Sequence, residues 1–137
     1  MATSVNEVMT HDPRTLTPDS TVEEAARMMR DDDVGSIPLV EGSKCVGTVT
    51  DRDIAVRVVA ESRPLDTALS EIAAKQLITV DPHQPVEEAM RLMAEHQVRR
   101  LPVCEEDGRL VGIVAQADVA RFASAERTGE TVEHISR

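Results

Sequence analysis

The chain has 137 residues, a formal charge of −10, 41% apolar and 29% charged residues, and one aromatic side chain, Phe122. This composition is too apolar for a disordered chain and predicts an aliphatic core with methionine filling the gaps, while the lack of a basic stripe and of aromatic platforms argues against a nucleic-acid partner. No apolar run approaches the ~20 residues of a membrane span, and residues Met1 to Pro13 do not have the pattern of a secretion signal, so a soluble, cytoplasmic protein is expected.

In chain order, Val5-x-x-Val8-Met9 forms a short helical arm, and Thr15-Leu16-Thr17 a short extended piece ended by Pro18. Ser20-x-x-Glu23 has the spacing of a capping box, after which Val22, Ala25, Ala26 and Met29 fall on one face of a helix. Two strand-like runs follow, Ser36 to Val40 and Lys44 to Thr50, joined by Glu41-Gly42-Ser43 as a hairpin. A second helix is expected from about Arg52 to Ala60, and then a short polar linker, Glu61 to Asp66.

The same order then returns. Leu69-x-x-Ile72-Ala73 matches the first arm, Thr79-Val80 the extended piece, and Pro85-Val86-Glu87-Glu88-Ala89-Met90-Arg91-Leu92-Met93 the helix opening at Thr21. Pro85 takes the first helical position, where its missing N–H costs nothing. Strands Arg100 to Cys104 and Leu110 to Ala115 surround Asp107-Gly108, and a last helix runs from about Ala117 to Ala125. One residue is inserted in the acidic turn, where insertions are tolerated. The repeat divides the chain into units 1–66 and 67–137. A unit of about sixty residues buries too little surface to be stable alone, so the copies are expected to pack sheet to sheet as one α/β body with pseudo-twofold symmetry.

Cys45 and Cys104 lie in apolar runs without Cys-x-x-Cys spacing and read as buried, reduced thiols. His11, His83, His96 and His134 show no metal-ligand spacing, and the methionine stripe of Met28, Met29, Met90 and Met93 reads as core or dimer interface. Neither a Gly-x-Ser-x-Gly elbow, a His-Glu-x-x-His pair nor a phosphate-loop Gly-Lys-Ser is present, so catalysis is not expected.

Gly47-Thr48-Val49-Thr50-Asp51-Arg52-Asp53, the Gly35-Ser36-Ile37-Pro38-Leu39-Val40 and Arg99-Arg100-Leu101-Pro102-Val103 stretches, and the duplicated Val-Glu-Glu-Ala opening together resemble a tandem pair of cystathionine-β-synthase (CBS) motifs, a Bateman module. The likeness runs from about Val5 to Phe122, and the chain is most similar to short bacterial proteins made of one such pair. The resemblance implies two clefts between the sheets, each able to hold an adenosyl ligand such as AMP, ADP, ATP or S-adenosylmethionine. It also implies a homodimer and an unidentified regulated protein, with no cofactor required.

An acidic residue opening a helix can accept both hydroxyls of a ribose, which makes Asp53 and Asp118 the candidates for the sugar. Thr50, leaving its strand just before the helix, can reach ribose or phosphate, and Arg52 can pair with phosphate oxygens. The adenine slot falls to Thr15, Leu16, Val34, Gly35, Ser36, Ile37 and Pro38 in the first copy. Its counterparts in the second are Thr79, Val80, Val98, Leu101 and Pro102, and the resemblance implies that Arg99 and Arg100 face the phosphates of a ligand. Each assignment has a plainer alternative: Asp53 and Asp118 as helix caps, Arg52 as a solvated charge, and Arg99 and Arg100 as partners of Glu95, Glu105 or Glu106. The second copy also has Ala115 and Ala117 where the first has Thr50 and Arg52, and Arg99 and Arg100 where the first has Gly35 and Ser36. A charge-assisted contact outweighs a lost hydroxyl bond, so at least one filled cleft is expected. The competing function is a ligand-free structural adaptor that acts through protein contacts.

Overall fold

A computed structural model of the chain describes residues 3–74 and 76–122. Its elements are α1 (Val5–Val8), β1 (Thr10–His11), α2 (Val22–Asp32), β2 (Ser36–Glu41), β3 (Lys44–Thr50), α3 (Asp51–Ile54), α4 (Val86–His96), β4 (Arg100–Cys104) and β5 (Leu110–Ala115). α3 widens into a π-helical turn over Ala55–Val59, a 3-10 turn covers Leu69–Glu71, and residues 116–122 are helical. The end of the expected last helix, beyond Phe122, lies outside the described residues.

Local chemistry sets the boundaries. α2 is capped by Thr21, not Ser20: Thr21 Oγ1 accepts the Glu24 N–H at 3.2 Å and Glu24 Oε1 accepts the Thr21 N–H at 3.0 Å. Ser20 instead caps the preceding turn, its Oγ accepting the Thr17 N–H at 3.1 Å. Pro85 is the N-cap of α4, with ψ at 152°, one residue before the position expected. Both helices end alike, on Asp33 and Gln97, each left-handed at φ 55°. The Val34 and Val98 N–H groups then donate back to Met29 and Met93, at 3.1 and 3.0 Å, closing the last turn and sending the chain into β2 and β4.

β2 and β3 pair antiparallel, with Ser36 opposite Thr50 and Ile37 opposite Val49; β4 and β5 repeat this, with Arg100 opposite Ala115 and Leu101 opposite Val114. The extended lead-in pieces add parallel bridges, Leu16 to Leu39 and Val80 to Val103. The hairpin ends join through an antiparallel bridge between Lys44 and Arg109, in which the Cys45 N–H donates to the Gly108 carbonyl at 3.1 Å and the Leu110 N–H to Ser43 at 3.0 Å.

The copies also exchange their arms. Val5 and Met9, from the start of the chain, pack into the second core with Val80, Ala89, Met93, Leu101, Val103, Val114 and Val119. Leu69 and Ile72, which follow the linker, pack into the first core with Val22, Ala25, Met29, Ile37, Leu39, Val49 and Val58. β1 pairs with β5, Thr10 opposite Ile113. Matching lead-in segments are visible in the sequence, but not that each serves the other copy. The exchange follows from burial: an arm carrying two large apolar residues adds them to a core that a unit of this size cannot complete alone.

Candidate functional site

A cleft of about 160 Å³ opens where the copies meet. Its apolar lining is Met28, Val34, Ile37 and Pro38 from the first copy and Ile113 from β5; its polar rim carries Thr10, Arg14, Asp32, Ser36 and Arg100, with Pro13 beside them. The volume is below the ~300–1,000 Å³ typical of a small-molecule site, so it suits a base-sized fragment with the rest of a ligand lying along the rim.

Of the residues expected from sequence, Val34, Ser36, Ile37, Pro38 and Arg100 line this cleft. Leu16 flanks it: its N–H donates to the Pro38 carbonyl at 3.2 Å and its own carbonyl accepts the Val40 N–H at 2.9 Å. Thr15, the residue before it, and Thr79 of the second copy are half-buried but not in the lining. Gly35 is held at the turn into α3, its carbonyl accepting the Asp51 N–H at 3.0 Å, and a Cβ there would come within 3.0 Å of the Asp51 carboxylate. Arg99 occupies the same place in the second copy, its carbonyl accepting the Gln116 N–H at 2.7 Å. Val80, Leu101 and Pro102 are buried and Val98 is packed against the second core, and none of these four is in the lining of this cleft.

The junction of β3 with α3 is a reciprocal capping box. Thr50 Oγ1 accepts the Asp53 N–H at 3.1 Å, and Asp53 Oδ2 accepts the Thr50 N–H at 2.8 Å. The helix-cap role of Asp53 is thus realised, but it engages one carboxylate oxygen; among the described residues Oδ1 takes no protein hydrogen bond. Thr50 pairs with Ser36, a rim residue, but Thr50, Arg52, Asp53 and Asp118 are not themselves in the lining of the cleft. In the second copy half of the box is gone: Asp118 Oδ2 accepts the Ala115 N–H at 3.2 Å, no hydroxyl returns a bond, and Oδ1 is taken by the Arg121 guanidinium.

Arg52, Arg99 and Arg100 are exposed. Among the described residues, Arg99 and Arg100 form no ion pair with the glutamates offered as partners: Glu95 is bound to Arg91, Glu105 to Arg109, and Glu106 to neither arginine. Sequence reading missed Arg14 and Asp32, whose ion pair crosses the rim with Arg14 Nη1 at 2.7 and 2.9 Å from the two Asp32 oxygens. The first precedes the extended piece and the second ends a helix, so only the fold brings them together. Among the described residues, no group of three or more His, Cys, Asp or Glu side chains is placed to hold a metal ion, and no helix is long and apolar enough to cross a membrane.

Comparison with known proteins agrees with this geometry. CBS domain-containing protein YhcV of Bacillus subtilis is 42% identical over 134 residues, 97% of this chain and 95% of that protein. Hypoxic Response Protein I, solved with two coordinated zinc ions, superposes with a TM-score of 0.80 at 36% identity, covering 87% of this chain and 98% of that one. The CBS domain pair of protein MJ0100, solved with 5′-methylthioadenosine and S-adenosyl-L-methionine, gives a TM-score of 0.83 at 26% identity over 92% and 99% of the chains. A profile of the CBS domain matches residues 5–60 and again 69–125. With a profile match in each copy and the paired hairpins described above, the chain belongs to the CBS domain family as a tandem CBS pair.

Proposed function

We propose that the chain is a regulatory module that binds an adenosyl ligand, either an adenine nucleotide (AMP, ADP or ATP) or S-adenosylmethionine, and passes the bound state to a partner protein. The observation that carries this reading is the inter-copy cleft, in which an apolar slot of Val34, Ile37, Pro38 and Met28 is rimmed by the Arg100 guanidinium and by Arg14, the latter paired with Asp32. A purine ring suits such a slot, and phosphates suit the arginine forks. The unused Oδ1 of Asp53, beside Thr50, is the group we assign to a ribose hydroxyl. Ligand named in the MJ0100 pair is of the same class.

Because the cleft takes residues from both copies, a ligand that prefers one relative pose of the copies shifts the population of poses. That is the means of signalling, and no catalytic step is required. We further assign the module to the cytoplasm as a homodimer, with Val56 and Val59 of the π-helical turn, 46% and 68% exposed, facing the partner protomer.

The chain has no Trp or Tyr, so a 260 nm absorbance band in the purified protein reports bound nucleotide directly. Thermal melts against AMP, ATP, S-adenosylmethionine and 5′-methylthioadenosine then identify the ligand. At a hundredfold its Kd the correct one adds about 2.7 kcal/mol, a rise of roughly 5–10 °C in Tm. Arg100→Ala is expected to weaken the nucleotides and leave 5′-methylthioadenosine, which has no phosphate, unaffected. Nucleotide-free protein whose melt is unmoved by all four compounds would leave the ligand-free adaptor as the function.

A further inference from the structure

Asp32 is the last residue of α2, where the helix C-terminus and the carboxylates of Asp31 and Asp33 on either side disfavour a further negative charge. Asp31 is paired with Arg30 at 2.8 Å. The charge on Asp32 is offset by Arg14, whose Nη1 lies 2.7 and 2.9 Å from its two oxygens. The fold does not need this pair. In the second copy α4 ends at the equivalent position on His96, and the equivalent of Arg14 is Ile78, which packs against the second core. That helix still closes its last turn as α2 does, the Val98 N–H donating to Met93 as the Val34 N–H donates to Met29. A carboxylate kept at an unfavourable helix end, on the rim of the cleft and in that copy alone, is explained by the cleft.

The rim therefore holds charges of both signs: the Arg14–Asp32 pair, and Arg100, which makes no ion pair among the described residues. A rim built for phosphate alone would carry cations alone. Resting on the adenosyl reading of the cleft, we propose that Asp32 sets which ligand it takes. It selects an adenosyl compound whose far end carries both charges, the α-ammonium and α-carboxylate of S-adenosylmethionine, over a polyphosphate. The ammonium meets the Asp32 carboxylate and the α-carboxylate meets the Arg100 fork. Both Asp32 oxygens rest on one Arg14 nitrogen, which fixes the carboxylate on the rim and leaves each oxygen a lone pair for the ligand.

The same carboxylate opposes a polyphosphate chain. To use the second guanidinium, the phosphates would have to part Arg14 from Asp32, and they would then lie against an unpaired carboxylate of their own sign. Selectivity of this kind needs a repulsive element as well as an attractive one, and Asp32 supplies both. 5′-Methylthioadenosine has no charge at that end, so it gains neither contact and meets no repulsion. Its affinity reports on the apolar slot alone.

The test is calorimetric titration of S-adenosylmethionine, ATP and 5′-methylthioadenosine, without divalent cations, into the full native chain and into Asp32→Asn. The native chain is expected to bind S-adenosylmethionine about tenfold or more tightly than ATP. Asp32→Asn is expected to weaken S-adenosylmethionine by about tenfold, the worth of a charge-assisted contact, to tighten ATP, and to leave 5′-methylthioadenosine within about twofold. A native chain that prefers ATP, or a substitution that moves all three compounds alike, would overturn the role of Asp32 while leaving the adenosyl reading in place. A native chain that binds none of the three would overturn that reading, and this inference with it. The double variant Arg14→Ile with Asp32→His, which carries the residues of the second copy, is expected to lose the preference for S-adenosylmethionine. The ranking on the native chain decides the matter even if neither variant folds.

Discussion

The two strand-to-helix junctions share a backbone path and differ in what their side chains have left to offer. In Thr50-Asp51-Arg52-Asp53 the hydroxyl and the carboxylate cap each other's backbone, at 3.1 and 2.8 Å. In Ala115-Gln116-Ala117-Asp118 the hydroxyl is missing, the remaining cap bond lengthens to 3.2 Å, and Arg121 takes the other carboxylate oxygen. Duplication kept the aspartate in both places, but the second is bound on both oxygens and the first on one. A residue that recurs in a repeat thus need not keep the same free chemistry, and the first junction is the better placed to meet a sugar.

The arms differ between the copies in the same manner, and this gives the largest expected effect. A Cβ on Gly112 would meet the Thr10 carbonyl oxygen at 2.7 Å, because the first arm lies directly on β5. At the equivalent Gly47 the nearest atoms are ordinary neighbours, Leu39 at 3.8 Å and Ala73 at 4.0 Å. Gly112→Ala should therefore cost about 1–3 kcal/mol in urea denaturation, as overpacking against backbone does, and Gly47→Ala well under that. Equal costs would break the contrast between the arms.

Next in size are the caps. Thr50→Ala removes the hydroxyl half of the first box and should cost about 1 kcal/mol, whereas Ala115→Thr restores the missing half of the second and should gain a few tenths. Chemical denaturation of both variants checks the pair, and a loss on adding the threonine would show that the second junction has no room for it. A pH dependence separates the two thiols. Cys45, lowered to about 7, is ionised in the folded chain between that pH and its ordinary 9.0 while the unfolded chain still holds the proton, so stability rises with pH across this window. Cys104, raised by the neighbouring Cys45 thiol and by burial, keeps its proton above pH 9 where the unfolded chain has lost one, so stability falls there. Urea midpoints measured across pH 6 to 10 should pass through a maximum that Cys45→Ser flattens.

Much of this fold is legible without coordinates, because period and turn chemistry are local. The strands Lys44 to Thr50, Arg100 to Cys104 and Leu110 to Ala115 are bounded in the sequence where the structure bounds them, since glycine turns and apolar runs mark both ends. The caps are less sharp: Ser20 and Thr21 are both good N-cap residues, and only the geometry of the preceding turn assigns one to each. The arm exchange is not legible, because it puts Val5 in one core with Val119 and Ile72 in the other with Val22, residues far apart in the chain, and no local pattern encodes which of two similar cores an arm enters. For the same reason Ile37 and Pro38 are found from their motif, while the Arg14–Asp32 pair across the rim emerges only from packing.

The claim that the first junction binds the sugar of an adenosyl ligand is tested most directly by calorimetric titration of the ligand identified in the thermal melts into the native chain, Asp53→Asn and Asp118→Asn. Asparagine keeps an acceptor for the cap bond, so both variants should fold. The account predicts that Asp53→Asn weakens binding about ten- to a hundredfold, the worth of a charge-assisted hydrogen bond, while Asp118→Asn leaves it unchanged. Binding that survives Asp53→Asn intact, or that is lost with Asp118→Asn instead, would contradict it.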